Sequence, residues 1–191
     1  MEQLTKTIRS FVAQSDNLSP EELRREVAYP LTDKDLSKII QCPIYTYPDL
    51  QKFKSIEELF TTHPYCFLLY LTNSMTSGHW VCLLKHHHCI EFFDPLSGRP
   101  DDQRKLLSKY ELKKYKQNIP ILTTMLKNSP YPIQYNGVKL QRDTPEIKDC
   151  GRHCASRLLF HDIDLSEYLS LIQMTGIDPD VFCVLTTREY L

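Results

Sequence analysis

The hydrophobic positions of the chain follow two spacings, and the change from one to the other organises it. Up to about residue 28 the spacing is helical: Ile8, Phe11 and Val12 lie close together on a segment from Thr5 to Ala13. Ser19-Pro20-Glu21-Glu22 has the form of a capping box with proline at the first helical position. These helices predict an N-terminal arm or lobe over residues 1–30, ahead of a main domain over 31–191. Leu31 to Ile40 repeats the logic, with Thr32 as cap, Asp35 as its partner, and Leu36, Ile39 and Ile40 as the apolar stripe. Ser55 to Phe60 gives a third short helix, with Ser55 and Glu58 as box partners.

The spacing then changes. Tyr65 to Thr72 is an unbroken apolar run of strand length, which suits a strand buried on both faces. "HWVCLLKH" and "CIEFFDPL" follow as a hairpin with a polar tip at Lys85 to His88. Trp80, Cys82 and Leu84 point one way from its first strand; His79, Val81 and Leu83 point the other. Asp102 to Lys116 reads as a helix. Tyr131 to Gln141 reads as a strand with an Asn136-Gly137 turn, and Cys150 to Phe160 as a helix with Gly151 in its first turn. Another helix is capped by Asp164 with Glu167 three residues on, and "VFCVLTT" closes the chain as a strand. The class is α+β: a central, mostly antiparallel sheet of roughly four to five strands, flanked by helices.

Composition narrows the function classes. At 191 residues, one domain with a short added lobe is the expectation. Five glycines leave no glycine-rich phosphate loop. With 23 basic and 24 acidic residues, net charge −1 does not support a dedicated nucleic-acid binder. Lys105, Lys109 and Lys113 share a helical face, which reads as solvated. No apolar run reaches the ~18 residues of a membrane span. No signal-peptide core is present either, so the protein is expected in the cytoplasm, the nucleus or a particle assembled there, and not secreted. Seven cysteines in such a compartment are mostly free thiols.

Cysteine nucleophilic catalysis needs a thiol, an imidazole, a group to orient it and donors for an oxyanion. Cys150 stands at the head of a helix, where the dipole favours a thiolate. Gly151 lets the backbone approach a substrate. His79 opens a strand and Asp94 ends its partner; a register centred on the His86–His87 step sets the two side by side. Trp80 can pack beneath a cleft, and Gln141 can donate its amide to an oxyanion. Two metal-like clusters compete with this: Cys82 with His86, His87, His88 and Cys89, and Cys150 with His153 and Cys154. Neither has the spacing of a zinc site, so no metal is expected.

"GHW", then "FFDPLSG", then Gln141, then "DCGRHCASRL" resembles the adenovirus-protease and SUMO-protease clan of cysteine peptidases, with its chain order His, Asp, Gln, Cys. The resemblance runs from about Leu31 to Val184. It implies the adenain-like fold, with Cys150 as nucleophile, His79 as general base, Asp94 as orienter, Gln141 as oxyanion donor and Trp80 walling the cleft. The interval from Gln141 to Cys150 is longer than the clan's pattern. His153 and Cys154 look like the adenovirus-type branch, closest to capsid-maturation proteases of DNA viruses, virophages and related elements. The implied partner is a capsid polypeptide or, alternatively, a ubiquitin-like tail. No cofactor is implied beyond a peptide or DNA activator of the kind some relatives use. A third reading keeps the fold as an inactive interaction module.

Overall fold

The computed structural model describes residues 9–15, 17–72, 74 and 76–191. The part of the expected first helix before residue 9 lies outside the described residues; residues 9–15 are helical. The chain groups into two compact units. One is contiguous, Cys42–Val138; the other joins the chain up to Gln41 with Lys139–Leu191.

The contiguous unit holds a five-stranded mixed sheet in the order β1 (Ile44–Thr46), β2 (Tyr65–Leu71), β3 (Gly78–Lys85), β4 (Ile90–Phe93) and β5 (Ile133–Tyr135). The two central pairings are antiparallel, but β1 on β2 and β5 on β4 are parallel. The protein is thus α+β, and the expected sheet is corrected at both edges. Its apolar run leaves β2 buried from Cys66 to Leu71. Cys66, Leu68 and Tyr70 share a face with Val81 and Leu83 of β3 and Ile90 and Phe92 of β4. Leu122, Met125 and Leu126 of a helix at Ile121–Asn128 cover that face, together with Tyr47, Leu50, Ile56 and Leu59 from two 3-10 helices. "SIEELF" is thus a 3-10 helix rather than an α-helix.

Asp102 to Lys116 is not one helix. A 3-10 segment (Asp102–Leu106) stops at Leu107, and Ser108 caps a fresh start at Lys109–Lys114. Ser108 competes for the backbone as a cap and interrupts the pattern, so Lys105 does not share a helix with Lys109 and Lys113. The expected strand from Tyr131 to Gln141 is limited to β5. No Asn136-Gly137 turn forms; among the described glycines only Gly176 has a positive φ, 66°.

The discontinuous unit is helical: α1 (Pro20–Ala28), α2 (Asp33–Ile39), α3 (Cys150–Leu159), α4 (Leu165–Thr175) and α5 (Pro179–Thr187). Ser19, Thr32 and Asp164 form the expected capping boxes. The closing segment "VFCVLTT", expected as a strand, is helical instead. Asp178 accepts a hydrogen bond from the Asp180 N–H, and Pro179 sits in the first turn. Those start signals outweigh the β-branched content of a short apolar run. Phe182 packs on Tyr168 and Phe160. No described helix is long and apolar enough to cross a membrane.

Candidate active site

His79 and Asp94 are brought together in the contiguous unit. His79 Nε2 lies 2.8 Å from Asp94 Oδ1, and both residues are buried. The hairpin register that delivers them differs from the expected one. Lys85 pairs with Ile90, and the His86 N–H bonds the Cys89 carbonyl at 2.9 Å, so the turn is centred two residues' worth of pairing later than predicted. A shift of that parity keeps every side chain on its own face. His79 and Asp94 therefore meet diagonally instead of directly across. His87 and His88 are exposed at the tip, while His86 turns back to Glu91 at 3.0 Å.

Gly78 makes the start of β3 possible. A Cβ there would lie 1.7 Å from the Tyr70 carbonyl oxygen, so only glycine allows the strands to approach just before His79. Asp94 sits in a turn: its carbonyl accepts the Ser97 N–H at 2.7 Å, with Pro95 between. Its Oδ1 also accepts the Leu96 N–H at 2.9 Å, and Gln103 Nε2 donates to Oδ2 at 3.4 Å. Burial pushes the Asp94 carboxyl up. The His79 contact, the Leu96 N–H and Gln103 outweigh this and hold it below the ordinary carboxylate range. Asn136 fixes the backbone: its Oδ1 accepts the Asp94 N–H at 2.9 Å and its Nδ2 donates to the Asp94 carbonyl. With Nε2 given to Asp94, the chemistry of the imidazole falls to Nδ1.

Trp80 points to the opposite face of β3 and meets the Phe67 ring edge-on at 6.3 Å between centroids. Gln103, Asn136 and Gly98 were missed by sequence reasoning. Gly98 packs so closely that an added Cβ would lie 2.5 Å from Asp94 Oδ2. Only the glycine in "DPLSG" hinted at this.

Cys150 and Gln141 belong to the discontinuous unit. Cys150 is the first residue of α3, and Gly151 the second; both are buried. The helix start uses the Asp149 carbonyl, which accepts the His153 N–H at 3.0 Å, but no side-chain cap. Buried charges hold the helix. Arg152 pairs with Glu26 of α1 and donates to Thr187 Oγ1 at 2.9 Å. Arg157 donates to the carbonyls of Phe160 and Ile163 at 2.6 and 3.0 Å. Gln141 lies in a loop, with its amide oxygen buried and unpartnered.

Beside Cys150 lies a cluster the sequence did not suggest: the ligand atoms of Asp149, His153 and Cys183 all fall within 4.8 Å of one another. Burial pushes the Asp149 carboxyl up to about 6; His153 pulls it down and Asp180 pushes it up again. This cluster differs from the Cys150, His153, Cys154 set that the spacing brought to mind. Its Cys183 comes from the segment expected to be a strand.

No family model matches the chain. Over 150 residues it is 31% identical to a protein of Sputnik virophage named "Uncharacterized protein V9", an alignment spanning 77% of this chain and 85% of that protein.

Proposed function

The chain belongs to the same family as the Sputnik virophage V9 protein, and we propose that it is a cysteine endopeptidase of adenain-like fold that processes a viral structural polypeptide. The observation that carries the reading is the buried His79–Asp94 pair at 2.8 Å, in a chain whose best-placed thiol, Cys150, opens a helix. In the proposed reaction Cys150 gives its proton to His79 Nδ1 and attacks the scissile carbonyl. The imidazolium, stabilised by Asp94, returns the proton to the leaving amine. Water then attacks the thioester with His79 as base, which restores the thiol. Gln141 and the backbone N–H groups at the head of the Cys150 helix hold the oxyanion. Asp94 acts by holding the ring, not by exchanging the proton.

The virophage relative favours a particle polypeptide over a ubiquitin-like tail as substrate, and a site of action in the particle or in host cytoplasm or nucleus. The test is incubation with the capsid polypeptides encoded beside this gene, and with SUMO and ubiquitin probes. Cleavage of the former, abolished by Cys150→Ala, supports the proposal. Cleavage only of the probes moves the substrate to ubiquitin-like proteins. Cleavage that survives Cys150→Ala overturns the mechanism. Iodoacetamide labelling at neutral pH gives a second readout, since burial raises the Cys66 and Cys183 thiols far above their ordinary value and pushes Cys42 up to about 12. Cys150 alkylation no faster than a model thiol, and indifferent to His79→Ala, would leave an inactive module of the same fold.

A further inference from the structure

We propose that Asp149, His153 and Cys183, completed by Asp180, form a structural zinc site beside the head of the helix that carries Cys150. The donors come from two helices of one unit. Asp149 and His153 sit one turn apart at the start of α3, and Asp180 and Cys183 nearly one turn apart on α5. His153 Nε2 lies 3.7 Å from Asp149 Oδ1 and 3.0 Å from Asp180 Oδ1; Cys183 Sγ lies 3.7 Å from Asp149 Oδ2. Zinc bonds of about 2.0–2.1 Å to nitrogen or oxygen and about 2.3 Å to sulfur, at tetrahedral angles, place ligand atoms roughly 3.3–3.6 Å apart. Asp149, His153 and Cys183 hold their ligand atoms within 4.8 Å of one another; Asp180 meets that set through His153 at 3.0 Å and would turn toward the ion to become the fourth ligand.

The second observation is an orphan. Asp149 Oδ1 is fully buried and has no hydrogen-bond partner, although a buried polar atom left unpaired is costly. It faces His153 within the cluster, where a cation would satisfy it. Charge points the same way. Two carboxylates and a thiolate balance a divalent cation together with the Arg142 guanidinium, whose Nε is 2.6 Å from Asp180 Oδ2. That arginine contact would orient Asp180 from outside the site. Sulfur, imidazole and carboxylate together suit zinc, and not magnesium or calcium.

Binding would release the Cys183 thiol proton to solvent, and His153, whose Nε2–H donates to Asp180, would carry its proton on Nδ1 instead, so that the Nε2 lone pair meets the ion. The ion would take the place of the missing side-chain cap at the start of α3 and tie that start to α5. The role is positional and requires no step in peptide hydrolysis.

The experiment is titration of the chelator-treated full chain with zinc and with cobalt, followed by X-ray absorption on the wild-type zinc form. Expected are one tightly held ion per chain, a coordination sphere of one sulfur with nitrogen and oxygen, and a thiolate-to-cobalt charge-transfer band. That band disappears in Cys183→Ser and persists in Cys150→Ala. His153→Gln weakens zinc at least as much as losing a group that merely orients a ligand, about 10–100-fold. No stoichiometric binding by the wild-type chain, a sphere without sulfur, or a band that survives Cys183→Ser overturns the site. The absorption measurement uses unaltered protein, so a misfolded variant does not blur the result, and none of the readouts depends on peptidase activity.

Discussion

Replacing Asn136 by alanine isolates the support beneath Asp94. The buried Asn136 side chain accepts the Asp94 N–H at 2.9 Å and donates to the Asp94 carbonyl. The carbonyl keeps a second partner, the Ser97 N–H at 2.7 Å. The N–H keeps none from its own turn. Asn136→Ala therefore orphans one buried donor, worth about 1–3 kcal/mol, and deletes a further bond worth about 1 kcal/mol. A loss of roughly 2–4 kcal/mol is expected, or a fall in melting temperature of roughly 5–15 °C. Urea unfolding followed by fluorescence is the assay, because the single tryptophan, Trp80, lies in the same unit. Gly137→Ala is the control: an added Cβ there meets nothing within 4 Å, and the change should stay within about 0.5 kcal/mol. If Asn136→Ala also unfolds within about 0.5 kcal/mol of wild type, the amide does not hold Asp94, and the account of how the pair is positioned fails.

Gly98→Ala should push the Asp94 carboxylate off His79, since the new Cβ falls 2.5 Å from Oδ2; peptide turnover should drop about 100-fold with fluorescence-detected unfolding changed far less. Gly78→Ala should cost about 3 kcal/mol or more, because its Cβ would enter the Tyr70 carbonyl at 1.7 Å; soluble yield and urea midpoint report it. His79→Ala should abolish turnover, and Asp94→Asn should lower it less; the reverse ranking in kcat contradicts the assigned roles. Stability should also carry an Asp94 signature in acid. Its folded carboxyl sits below the ordinary value, so the unfolded chain binds that proton more readily. The contribution is present above about pH 4 and is lost as pH falls through the folded value. Urea midpoints from pH 5 downward should show a shallower decline in Asp94→Asn than in wild type.

What could be read from the residues was local. The boxes at Ser19, Thr32 and Asp164 place cap and partner within one turn, so their chemistry is complete in four letters. The apolar run at Tyr65 and the hairpin after it were legible for the same reason. The register was misjudged because the tip holds four residues, His86 to Cys89, closed by a backbone bond that no side chain announces. "VFCVLTT" was misread because a short apolar run suits either structure, and Asp178 and Pro179, which settle it, precede the run. At the site, His79 and Asp94 carry recognisable chemistry. Asn136 reaches Asp94 across 42 positions and Cys183 reaches Asp149 across 34. Partners so distant leave no spacing to find.

The discontinuity of the helical unit has a consequence for synthesis. A chain that emerges from the ribosome N-terminus first completes Cys42–Val138, with its sheet and its His79–Asp94 pair, while the helical unit has only the part up to Gln41. Arg152 must wait to meet Glu26, 126 positions earlier, before the helix bearing Cys150 can close its unit. Cys150 is thus made only after the unit that holds the His79–Asp94 pair is complete. A chain cut short anywhere before residue 150 lacks its proposed nucleophile altogether.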